Sequence, residues 1–465
     1  MVHYSVTTSR KISPLPGCGR EQPSLNASAS VAPEFYSFAW VEKGQLTFST
    51  PNALADWVHE VCERQPEAAK LLNAPAEEQH GRGYFHTLHE ILQQPATWIR
   101  TAQQMLERTT ELRECLKGAR LVVLTGSGSS EYAGDCVRLP LQKQLGVNAL
   151  AIGGGAFLIS PANPLPPERP GLVISLARSG DSPESVGALA LLLERDPELR
   201  HLVVTCNASG KLATSFSGDS RVRVVALDDG TNDRSLVMTS SFTNLVIAAQ
   251  SLGFVNAPNL YEAQCLQLSS IASRLIETHF GTLAMVARSN FKRVVFLGTG
   301  ARFGAAREAA LKMIEMTAGK VWAMPETYLG LRHGPMSFVH DDTLVVCFLS
   351  SESTGRAYEC DLVRELDQKG LGMMKLVIGD SVPADLLRKH DILIECPGLA
   401  KSGDDASPVI DVVIGQLLAF FRCMEEGLRP DSPSESGVIN RVVQSFTLHV
   451  PLASDGKHNS SGDGK

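Results

Sequence analysis

At 465 residues, 43% of them hydrophobic and 20% charged, the chain is long enough for two or three domains with full cores. A formal net charge of −7 argues against general affinity for nucleic acid or an anionic membrane, since both need a basic face. Ten cysteines, scattered with no CxxC pair or His/Cys cluster, predict reduced thiols in a cytoplasmic protein rather than a disulfide framework or a zinc site.

In chain order, residues 1–50 open with a stretch, 1–30, that is rich in Ser, Pro and Gly and lacks the apolar run of a signal peptide. With the polar residues 451–465 they read as disordered tails. No stretch approaches the length of a membrane span. Residues 51–117 read as a helical segment: Trp57, Val61 and Cys62 share a face, Leu88, Ile91, Leu92, Trp98, Met105 and Leu106 continue it, and Pro95 separates two helices. Short apolar runs then alternate with helical stretches. Arg120–Thr125, Ala149–Ile152, Leu172–Leu176, Leu202–Thr205 and Val222–Leu227 predict strands of a first α/β domain over 118–258. Arg293–Leu297, Leu344–Phe348, Lys375–Ile378 and Ile392–Ile394 predict a second over 259–450, joined by a helix near Asn259–Phe280. LVVLTGSGSSEYAG and RVVFLGTGARFGAA are two copies of one strand–glycine loop–helix unit, so the α/β domain is duplicated.

The loop holding Ser127, Gly128, Ser129 and Ser130 lies where a strand end meets a helix start, a place that favours an anion. Taken singly it could equally be a helix cap. The loop Ala177–Ser185, with Arg178, Ser179, Ser182 and Ser185 around Gly180, follows another strand of the same sheet. Two hydroxyl-rich loops at neighbouring strand ends suit a small phosphate ester. A third, containing Thr239 and Ser240, also precedes an apolar helix and is expected to touch substrate. A dinucleotide fingerprint fits less well: Glu131 stands at its third glycine position, and Gly298, Gly300 and Gly304 are one residue too widely spaced. Glu308, Lys312 and Glu315 share one helix face. Such spacing commonly makes a solvated ion-pair ladder, but this helix is otherwise apolar and starts at a glycine loop, where charge is better placed for chemistry.

These motifs together resemble the sugar isomerase (SIS) superfamily. RSGDSPES is similar to its phosphate loop and GSGSS to its first loop. Arg307–Glu315, the LRHGP run at 331–335, and Glu90-Ile with Gln94-Pro95 resemble the isomerase part of glucosamine-6-phosphate synthase. The synthase's glutaminase domain, with its amino-terminal cysteine, is not expected here, because Val2 follows Met1 and too little chain precedes residue 85. RSGDSPES, TAGKV and LGLRHGP look most like the galactosamine-6-phosphate deaminase/isomerase branch, also known as tagatose-6-phosphate ketose/aldose isomerase. The resemblance implies two flavodoxin-like parallel sheets flanked by helices, no metal or redox cofactor, and an amino-sugar phosphate as substrate. It implies Glu315 as the base that moves a proton between C2 and C1, Glu308 and Lys312 as residues that shape the site, and His333 as the ring-opening group. His333 would come from a neighbouring subunit of a homodimer or homotetramer. A synthase lysine has only the displaced Arg441 as its counterpart, and a longer segment after Glu315 could bring Glu326 into the site. The competing class, a sugar-phosphate-sensing regulator, would carry a helix-turn-helix with a basic face, which residues 51–117 lack.

Overall fold

The computed structural model describes residues 53–160, 165–434, 436–442 and 447–449, so the two expected tails lie outside it. Five parallel strands form the first sheet: β1 (Leu121–Gly126), β2 (Asn148–Gly153), β3 (Gly171–Ala177), β4 (Leu199–Thr205) and β5 (Val222–Ala226), in the order β2-β1-β3-β4-β5. The central strands are apolar and buried along their whole length, as a sheet covered on both faces requires. The second sheet repeats the plan with β6 (Arg293–Leu297), β7 (Trp322–Glu326), β8 (Thr343–Phe348), β9 (Met374–Gly379) and β10 (Ile392–Glu395), in the order β7-β6-β8-β9-β10. The chain therefore holds two α/β units built to one plan.

The repeat extends to backbone detail. A Cβ on Gly126 would lie 2.6 Å from the Ser130 Cβ, and one on Gly298 2.4 Å from the Arg302 carbonyl oxygen. Both turns close on the helix that follows, so neither tolerates a side chain. One strand, β7, has no counterpart among the expected runs. It is an edge strand with an exposed Trp322 and a proline, so it carries no continuous apolar signal.

Six helices fill residues 53–116, more finely divided than the two expected. Gln93 ends one of them, and Pro95 sits in the first turn of Gln94–Glu107, where its missing N–H costs nothing. This segment docks through buried polar pairs. Trp98 Nε1 donates to Thr243 Oγ1 at 2.9 Å, and Gln94 Nε2 donates to Gln416 Oε1 at 2.8 Å. The helix between the two sheets runs over Pro258–Arg288, and Trp57 donates to its Glu277 at 2.7 Å. No described helix is long and apolar enough to cross a membrane.

Candidate active site

In a 2-1-3-4-5 sheet, strand order reverses between β1 and β3, and ligands seat at the carboxyl ends there. The two hydroxyl-rich loops follow those two strands. Ser127 Oγ is buried without a hydrogen-bond partner among the described residues. Ser179 Oγ accepts from the Asp181 N–H at 3.2 Å, which leaves its proton uncommitted. Ser182 is the N-cap of helix Pro183–Arg195, but its hydroxyl does not cap that helix; it donates to Glu184 Oε2 at 2.6 Å. An open helix start beside three half-enclosed hydroxyls can hold a phosphate.

The second sheet offers the same corner, and there it is filled. The Glu352 carboxylate accepts from Thr354 N at 2.9 Å and Gly355 N at 2.7 Å, Asp404 accepts from Ser351 N at 2.7 Å, and Glu359 accepts from Ser350 N at 2.7 Å. Arg302, the counterpart of Ser130, pairs in bidentate fashion with Asp411 at 2.7 and 2.8 Å, both side chains fully buried. The chain's own carboxylates occupy the place an anionic ligand would take.

Helix Ala301–Met316 of the second unit carries Glu308, Lys312 and Glu315 to the open corner of the first. Lys312 Nζ donates to Ser129 Oγ at 3.0 Å, lies 3.3 Å from Glu308 Oε1 and pairs with Glu315 Oε2. Glu308 and Lys312 are fully enclosed, whereas the Glu315 side chain is 23% exposed. Burial pushes the Glu308 carboxyl up to about 8, against the pull of the Lys312 ammonium. Burial alone would lower the Lys312 pKa, but Glu308 and Glu315 outweigh it and hold it above its ordinary value. The trio thus sets two enclosed groups, Glu308 and Lys312, behind a reachable Glu315.

Several expected ligands turn out to be committed elsewhere. The Ser129 hydroxyl is spent on Lys312, and Ser130 is buried with its hydroxyl 3.8 Å from Met238 Sδ. Arg178 does not point at the phosphate corner; it holds the carbonyls of Leu236 at 3.0 Å, Ser235 at 3.4 Å and Arg441 at 2.8 Å. Thr239 and Ser240 are fully buried, and Asp233 accepts from both their N–H groups, at 2.8 and 3.0 Å. A carboxylate from six residues upstream fills that helix start, so its first N–H groups are already engaged. Arg441 donates to Asp233 O at 3.0 Å and Asn232 Oδ1 at 2.8 Å. Glu326 caps its own turn by accepting from Thr327 N at 2.7 Å. His333 is exposed, on a turn where its N–H bonds Gly330 O at 3.0 Å. Among the described residues no cluster of three His, Cys, Asp or Glu side chains is arranged to hold a metal ion.

Sequence reasoning missed Glu90 as part of this network. It accepts from the N–H groups of Arg234 and Ser235 and from the Ser235 hydroxyl, fixing the loop that Arg178 grips. Burial, then the nearby Asp233 charge, raise it to about 7. The Glu90-Ile motif was the available signal.

The SIS domain family model matches residues 289–420. An Escherichia coli protein named D-galactosamine-6-phosphate deaminase AgaS is 34% identical over 371 residues, covering 78% of this chain and 95% of its own. The chain belongs to the AgaS family of SIS-domain proteins. A second AgaS protein, from Shewanella sp. (strain ANA-3), is 32% identical over 386 residues, 82% of this chain and 95% of that one. Among solved structures, an E. coli tagatose-6-phosphate ketose/aldose isomerase is 30% identical with a TM-score of 0.71, covering 79% of this AgaS-family chain and 97% of its own. A chain from Clostridium novyi NT, also 30% identical, reaches 0.76 over 82% and 99%.

Proposed function

We propose that this chain converts D-galactosamine 6-phosphate into D-tagatose 6-phosphate and ammonia in the cytoplasm, with residues 118–258 and 259–450 as its two SIS domains. The observation that supports this most directly is the Lys312 bridge, which joins Ser129 beside the phosphate corner to the carboxylates Glu308 and Glu315. Ser127, Ser179 and Ser182 hold the phosphate at the start of helix Pro183–Arg195. Glu315, the exposed member of the trio, takes the proton from C2 of the open-chain aldose and returns it to C1. The amine-bearing enol so formed becomes a C2 ketimine, and water converts that to the ketose and ammonia. Lys312 Nζ, paired with Glu315 Oε2, holds that carboxylate in place beside the phosphate corner. His333 of a neighbouring subunit moves the ring-opening proton, so the active unit is a homodimer or larger.

The test is to incubate the protein with galactosamine 6-phosphate, glucosamine 6-phosphate and tagatose 6-phosphate and to measure ammonia and ketose separately. Ammonia and ketose in equal amounts from galactosamine 6-phosphate are expected. Ketose or aldose without ammonia would make it a plain isomerase. Glu315→Gln should bind substrate within a few-fold of the parent while kcat drops by roughly three orders of magnitude or more; retained turnover would remove Glu315 from its role.

A further inference from the structure

Between one face of helix Phe85–Leu92 and the loop after β5 lies a cavity of about 560 Å³ that none of Ser127, Ser179, Ser182 or Glu315 lines. Phe85, His86, His89, Glu90, Arg234 and Arg441 lie in its wall. The volume falls in the range of small-molecule sites and holds a hexose phosphate together with a few waters.

Two guanidinium groups in its wall favour an anion. Arg234 is exposed, and its guanidinium has no carboxylate partner among the described residues. The Arg441 guanidinium meets only the Asp233 carbonyl oxygen and the Asn232 amide oxygen, so its charge is not neutralised. The His89 Nδ1 faces the Phe85 carbonyl at 2.7 Å, which leaves Nε2 for a ligand. Of the two acidic residues in the wall, Glu90 and Asp229, the Glu90 carboxylate is turned to the backbone and hydroxyl donors of residues 234 and 235. The Phe85 ring packs against His89 and His80, with centroids 4.4 and 4.1 Å apart, and gives this polar wall an apolar side.

We infer that this cavity is a second sugar-phosphate site, separate from the catalytic corner and coupled to it. It rests on the proposed reading that the chain handles sugar phosphates. The coupling runs through one short path. Arg441 holds Asp233 O with its guanidinium and offers its own carbonyl to Arg178, which also grips Ser235 and Leu236. Arg178 directly precedes Ser179. A phosphate drawn against Arg234 and Arg441 therefore acts on the carbonyls that position the catalytic phosphate loop. The effect must be reciprocal, with each site changing the other's affinity by one factor.

The probe is methyl α-D-galactopyranoside 6-phosphate, whose ring cannot open, titrated calorimetrically into the full chain. Two binding events per chain are expected. Arg234→Ala should weaken one of them at least ten-fold and spare the other, and the Ser179→Ala/Ser182→Ala double variant should do the converse. In turnover assays Arg234→Ala should keep kcat within two-fold and shift KM. One event that Arg234→Ala leaves intact overturns the second site while the proposed function stands. One event abolished by both variants also overturns it, because the cavity would then be part of the catalytic cleft. No binding at all sinks both readings. Unaltered melting of each variant separates lost binding from lost folding.

Discussion

Glu308 and Lys312 share so little space that burial and their mutual attraction, rather than each group's own preference, set where their protons lie. The consequence for stability has a definite sign. The Glu308 carboxyl is raised from 4.5 to about 8 in the folded chain, so the folded state binds more protons than the unfolded one across that window. Its contribution is complete below the ordinary carboxylate range and is lost as pH rises towards about 8. Glu308→Gln, which cannot ionise, should flatten the pH dependence of stability. Urea unfolding at about pH 5 and about pH 8 should show a relative gain for the variant at the higher pH, on the order of a few kcal/mol. An unchanged slope would mean that Glu308 is already ionised beside Lys312.

Asp233 shows how a helix can take its capping anion from within. It accepts from three successive N–H groups, those of Thr239, Ser240 and Ser241, at the start of helix Ser240–Gln250. Asp233→Asn keeps the shape but loses the charge and turns one acceptor into a donor facing N–H groups. It should cost about 2–3 kcal/mol in urea unfolding. This element also marks where the sequence stops being legible. The MTSS run looks like the phosphate loops, and composition cannot tell whether its hydroxyls and N–H groups await a ligand or a carboxylate six residues away. The same limit hid β7, an edge strand needing no apolar run. It also hid Gln94 on Gln416, a pair 322 residues apart that no local pattern encodes. The two glycine corners were readable because their close turns exclude every other residue type.

Across the molecule, the candidate catalytic trio stands on one unit and the phosphate corner on the other, joined by the Ser129–Lys312 bond. The helices that follow the two repeated glycine loops are thus the ones that meet. The proposed reading extends this sharing to a further copy of the chain through the exposed His333, and mixing can test it. Glu315→Gln and His333→Asn proteins should each be inactive. A dimer holding one of each rebuilds one intact site, so an equimolar, re-equilibrated mixture should regain about a quarter of the parent activity. A mixture that stays inactive would place His333 outside the partner's site.

The filled corner of the second sheet gives the duplication an unequal outcome. The Arg302–Asp411 pair locks the first turn of helix Ala301–Met316 to helix Pro408–Glu425, whose Gly415 lets Ala309 approach so closely that a Cβ there would sit 2.6 Å from it. The copy that gave up its vacancy became a clamp. It fixes the pitch and depth of the helix that carries the candidate catalytic trio, much as a vice holds the work that another tool cuts.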